Sequence, residues 1–88
     1  MISVTVEFNG TLRTLAKMRK CTVELEEKTM ISTLVHKLKT EIFQGEEFVD
    51  ESNLLIMLNG KEIRVLNGFK TELKGNDVIK LIPASHGG

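Results

Sequence analysis

The residues best suited to chemistry in this chain are its last two, Gly87 and Gly88. A carboxylate is a poor electrophile because its charge is delocalised and its leaving group is oxide. Converted to an acyl-adenylate, it gains a good leaving group and can be attacked by sulfur or by an amine. A protein performing that activation must enclose the carboxylate in a narrow, dry passage. Two glycines have no side chains to obstruct it, and they reach backbone angles that other residues avoid. After Ile82, the last apolar strand residue, no large apolar side chain remains to pack, so Ala84 to Gly88 are expected to project as a peptide able to extend about 17 Å. The alternative is a frayed end that happens to hold two glycines.

Other candidate chemistry is sparse. Neither His36 nor His86 has a carboxylate or nucleophile partner at local spacing, and His36 reads as solvated helix surface. The lone Cys21 lies within an apolar alternation, which favours a buried, inert thiol. One cysteine and two histidines lack the paired spacings of a zinc site, so no metal is expected. Glu46, Glu47, Asp50 and Glu51 match no calcium-loop spacing and read as a solvated connection. Gly10, Gly45, Gly60, Gly68 and Gly75 stand singly rather than in a phosphate-cradling motif. The pattern is that of a protein acted upon, with no catalytic residue of its own.

Composition narrows the partners. The 88 residues suit one domain, with 41% hydrophobic and 27% charged residues, ordinary values for a globular chain. Lys plus Arg and Asp plus Glu number 12 each, a balance that argues against direct nucleic-acid binding. Neither a secretory leader nor a bilayer-spanning run is expected, and a single cysteine suits a reducing compartment. These features predict a cytoplasmic protein without membrane contacts.

The elements that must position the tail follow from periodicity. Ile2, Val4, Val6 and Phe8 alternate with polar residues, predicting a half-buried strand. Cys21, Val23 and Leu25 share a face of a second strand, antiparallel to the first and joined to it by a polar, basic loop. Ile31, Leu34, Val35, Leu38 and Ile42 form one helical stripe, with Thr29 as N-cap and Gly45 as stop. Leu54 to Leu58 predict a strand closed by Asn59-Gly60, with Leu54, Ile56 and Leu58 toward the helix and Leu55 and Met57 outward. Ile63 and Val65 suggest a brief strand, Phe69 and Leu73 are expected in the core, and Val78 to Ile82 form the last strand. One helix on a mixed sheet is an α+β arrangement.

Leu58-Asn59-Gly60-Lys61, Leu66-Asn67-Gly68, Thr71, Leu73, Asp77, Ile79, Leu81, Pro83 and the ending Gly87-Gly88 together resemble the ubiquitin-like sulfur-carrier family. That family includes the molybdopterin synthase small subunit, the thiamine sulfur carrier, archaeal small modifiers and the eukaryotic ubiquitin-related modifier. Leu12-Arg13-Thr14-Leu15-Ala16 and Val23-Glu24-Leu25 are similar to the molybdopterin branch. Members of that branch commonly carry two prolines where this chain has Pro83-Ala84. The ending His86-Gly87-Gly88 is nearer to the ubiquitin-related modifier.

The resemblance implies a β-grasp fold, with a mixed four- to five-stranded sheet, one amphipathic helix on one face, and first and last strands as parallel central neighbours. It divides the chain into a domain over 1–83 and a flexible tail over 84–88. It implies adenylation of Gly88 by a ubiquitin-activating-type enzyme that itself binds ATP, then a thiocarboxylate for sulfur transfer or an isopeptide bond to lysine. Ala84, Ser85, His86 and Gly87 would contact that enzyme, and Leu55, Met57 and Ile82 would form a docking patch. Implied partners also include a sulfur donor, a molybdopterin synthase large subunit, a tRNA-thiolation enzyme or target lysines. A permanent synthase subunit and an interaction module with an inert tail are the competing readings.

Overall fold

The computed structural model describes residues 1–43 and 53–83. The expectations that fall on Gly45, on the acidic stretch from Glu46 to Glu51 and on Ala84 to Gly88 lie outside these residues. Five strands form one mixed sheet: β1 (Ile2–Phe8), β2 (Lys20–Leu25), β3 (Leu54–Leu58), β4 (Lys61–Glu62) and β5 (Val78–Pro83). Their spatial order is β2-β1-β5-β3-β4. β1 and β5 run parallel at the centre, with Val6 beside Ile79, and the other neighbours are antiparallel. This is the expected β-grasp arrangement.

The alternation in β1 places Val4, Val6 and Phe8 on the buried face. Helix α2 (Ile31–Glu41) covers that face with Ile31, Leu34, Val35 and Leu38, each at most 1% exposed. These residues join Val23, Leu25, Ile56, Leu58, Ile79 and Leu81 in a single core. Each fully buried aliphatic side chain stabilises the fold by about 1.5–3 kcal/mol relative to exposure. Phe8 and Phe43 close one end of the core edge-to-face, with ring centroids 5.8 Å apart.

Four local expectations are corrected. The segment expected to be a basic loop contains a short helix, α1 (Thr11–Ala16), which buries Leu12 and Ala16 one turn apart. The N-cap of α2 is Met30, not Thr29. The Ile31 N–H donates instead to the Thr71 carbonyl, and the Thr29 hydroxyl donates to the Glu26 carbonyl at 2.6 Å. A backbone partner therefore does what a capping side chain would do. Ile63–Val65 is a 3-10 turn, not a strand, because the Glu62 carboxylate accepts from the Arg64 N–H and pulls the chain out of the sheet. Ile63 remains buried while Val65 is 75% exposed. Phe69 begins no core contact of the expected kind: it sits in a second 3-10 turn, 37% exposed, whereas Leu73 is buried as expected.

Candidate functional site at the end of β5

β5 ends at Pro83, the residue from which the chain continues toward Gly88. Three contacts hold that end. Pro83 lies opposite Leu54 across the antiparallel pair. The Asn9 N–H donates to the Leu81 carbonyl at 3.1 Å. Gly10, with φ 58°, abuts the proline ring so closely that a Cβ there would lie 3.2 Å from Pro83 Cγ. Asn9-Gly10 is a turn dipeptide of the kind that ends a strand. Its second role, as the wall against which the strand end rests, depends on a contact between residues 73 positions apart and leaves no local signal.

The opposite end of β5 is fixed by a polar clasp. Asn59 and Gly60 form a two-residue hairpin turn with φ 50° and 85°, the left-handed pair that matches strand twist. The Asn59 side-chain amide donates to Asp77 Oδ1 at 2.8 Å, and its oxygen accepts from the Val78 N–H at 2.8 Å. Asp77 Oδ2 in turn accepts from the Lys74 N–H at 2.7 Å. The start of β5 is thereby registered against β3.

On the face away from α2, Leu55 lies directly opposite Ile82, and Met57 lies opposite Lys80. Leu55, Met57 and Ile82 are all partly exposed, while their neighbours Ile56, Leu58 and Leu81 are buried. The Lys80 ammonium lies 3.9 Å from the Glu7 carboxylate, on the β1 side of β5 and away from the strand that carries Met57. The three apolar residues thus form a contiguous patch beside the exit of β5, partly sunk among their neighbours rather than fully projecting.

The remaining chemical candidates lie apart from this patch. His36 is exposed on α2, where its carbonyl accepts from the Thr40 hydroxyl. Cys21 is partly buried against the core, and desolvation pushes its thiol pKa up, which disfavours the reactive thiolate. Among the described residues no three His, Cys, Asp or Glu side chains converge as metal ligands. No helix among them is long and apolar enough to cross a membrane.

The ThiS family profile matches residues 6–88. No curated protein matches the chain significantly. Among solved structures, a protein described as molybdopterin converting factor subunit 1 from Pyrococcus furiosus superposes with a TM-score of 0.81 at 25% identity, covering 97% of this chain and 100% of that one. Small archaeal modifier protein 1 from Methanosarcina acetivorans is 30% identical with a TM-score of 0.70, covering 100% of this chain and 98% of that one. Urm1 from Trypanosoma brucei shares the fold at 24% identity and a TM-score of 0.78, with 98% and 95% covered. A five-stranded β-grasp sheet, a profile match over nearly every residue and these neighbours place the chain in the ThiS family of ubiquitin-like sulfur carriers.

Proposed function

We propose that the chain is a cosubstrate whose Gly88 carboxylate is activated and loaded by other proteins. In the first step the carboxylate attacks the α-phosphorus of ATP held by a ubiquitin-activating-type enzyme, and pyrophosphate leaves. In the second, a hydrosulfide equivalent from a sulfur donor adds to the acyl carbon and AMP leaves, giving a thiocarboxylate. A lysine amine attacking the same adenylate would give an isopeptide bond. This chain contributes the carboxylate, a side-chain-free approach through Gly87 and Gly88, and a docking patch of Leu55, Met57 and Ile82. In this reading Ala84, Ser85, His86 and Gly87 are the residues that contact the activating enzyme.

The observation that carries the proposal is the placement of Pro83. The clamped end of β5 adjoins the Leu55–Ile82 pair, so a partner seated on that pair would meet the segment leading to Gly88. An apolar patch of this kind beside charged residues commonly marks a protein interface. The name of the Pyrococcus neighbour favours delivery to a molybdopterin synthase large subunit, and that of the Methanosarcina neighbour favours lysine modification. tRNA thiolation is a third outlet, suggested by the His86-Gly87-Gly88 ending.

The test is ATP–pyrophosphate exchange catalysed by an adenylating enzyme from the same genome. Exchange should depend on this chain and disappear on deletion of Gly88, with the thermal unfolding of the domain unchanged. Exchange that survives the deletion would remove Gly88 from the chemistry.

A further inference from the structure

The balanced charge of the whole chain conceals an uneven distribution. Where β1 ends and β2 begins, Arg13, Lys17, Arg19 and Lys20 are all exposed. Three of them, Arg13, Arg19 and Lys20, line a shallow groove of about 250 Å³ together with Glu7 and Asn9. The Arg13 Nε–H donates to the Phe8 carbonyl at 3.3 Å, which steadies that side chain and leaves its terminal guanidinium donors free for a ligand. Among the described residues Arg19 and Lys20 have no side-chain partner. Glu7 is the groove's one acid, and its carboxylate is already engaged by Lys80. The groove therefore presents unpaired cations, two of them arginines suited to bidentate carboxylate or phosphate binding.

Its position matters more than its charge. Asn9 lines the groove and donates to Leu81, and the next residue, Gly10, rests on Pro83. Arg13 follows one turn later, its N–H donating to the Gly10 carbonyl. The cations thus flank the exit of β5 on the β1 side, as Leu55 and Ile82 flank it on the β3 side.

We propose that Arg13, Arg19 and Lys20 form a second docking surface that fits an acidic patch on the activating protein, beside the mouth of its carboxylate passage. This rests on the carrier reading above and extends it by naming the charge of the partner surface. A protein carboxylate patch is favoured over a nucleic-acid backbone for two reasons. The groove has no aromatic lining residue on which a base could stack, and Glu7 would lie against a continuous run of phosphates. Charges at an interface rim act mainly on the association rate and its salt dependence. Steering of this kind raises encounter rates by about 10- to 1,000-fold at low salt.

The decisive experiment measures association by stopped flow with the adenylating enzyme from the same genome, alongside pyrophosphate exchange. The Arg19→Glu/Lys20→Glu pair leaves the Arg13 contact and α1 intact, and Lys74→Glu, at the other end of the sheet, serves as control. The pair should lose about tenfold or more in association rate at low salt. That loss should shrink toward nothing near 1 M salt, where the Debye length is about 3 Å. Lys74→Glu should behave as wild type. A paired variant that associates like wild type while exchange proceeds would overturn the docking surface and leave the carrier reading standing. Slowed association without exchange in the wild type would retain the surface and reject the carrier chemistry. Binding of bulk tRNA by the wild type, lost in the paired variant, would reassign the groove to nucleic acid and overturn the proposal.

Discussion

Replacing Gly10 with alanine probes the contact that sets where the chain leaves the sheet. Gly10 has φ 58° and ψ −136°, a conformation that side-chain-bearing residues hold only at a cost of about 1–3 kcal/mol. The added methyl group would also lie 3.2 Å from Pro83 Cγ, tighter than ordinary van der Waals contact. The proline could yield only by shifting a residue paired with Leu54. Strain and displacement together predict a loss of about 2–3 kcal/mol. With a urea slope of roughly 1–2 kcal/mol per molar for a small chain, the unfolding midpoint should fall by about 1–2 M. Two controls separate the causes. At Gly60, φ is 85° and nothing lies within 4 Å of an added Cβ, so alanine there should cost only the left-handed strain, about 1–2 kcal/mol. At Gly75, outside that region, the nearest atom would be 3.9 Å away, and alanine should change stability by less than about 0.5 kcal/mol. Equal midpoints for the Gly10 and Gly75 variants would refute the strain argument. Equal losses at Gly10 and Gly60 would show that the approach to Pro83 contributes nothing.

Three further outcomes follow from the same geometry. Asn59→Ala removes both the bond to Asp77 and the one from Val78, and because the site is exposed the loss in urea titration should be about 1–2 kcal/mol. The Glu62 carboxyl is held below its ordinary value by the hydrogen bond from the Arg64 N–H, supported by the guanidinium. A depressed folded pKa makes this contribution fully present above the unfolded value and lost as pH falls through the folded one. Glu62→Ala should therefore narrow its stability deficit below about pH 4, and an unchanged deficit in acid would contradict the assignment. Leu55→Ala and Ile82→Ala should each weaken association with the adenylating enzyme about tenfold or more while lowering stability by about 1 kcal/mol, since both residues are partly buried; wild-type affinity in both would dismiss the patch.

Much of this architecture was legible where a single periodicity governs a long enough segment. Ile2 to Phe8 alternate cleanly, and the stripe from Ile31 to Leu38 is buried as its spacing requires. Leu55 and Met57 could be placed on the open face because Ile56 and Leu58 had to face the helix. α1 is hard to read from the sequence although Leu12, Leu15 and Ala16 sit at helical spacing. Six residues are too few to stand alone as a helix, and the packing that stabilises them comes from β1 and β5. The Met30 cap and the 3-10 turn at Ile63 were illegible for a related reason. Each is decided by a partner outside the pattern, Thr71 for the first and the Glu62 carboxylate for the second. Thr29 has a good capping side chain, but it is spent on Glu26. On the open face, Leu55, Met57 and Ile82 could be placed from the strand alternation, whereas the basic groove unites Arg13 with Arg19 and Lys20 across two elements.

On the proposed function, other proteins convert the Gly88 carboxylate into a reactive sulfur-bearing group. Intact-protein mass spectrometry tests this most directly, after incubation with the adenylating enzyme from the same genome, ATP and a sulfide source. The predicted product is heavier than the starting chain by the difference between one sulfur and one oxygen atom, with the change confined to the peptide ending in Gly88 and absent when that residue is deleted. An unchanged mass under conditions that support pyrophosphate exchange, or a sulfur atom located elsewhere in the chain, would contradict it.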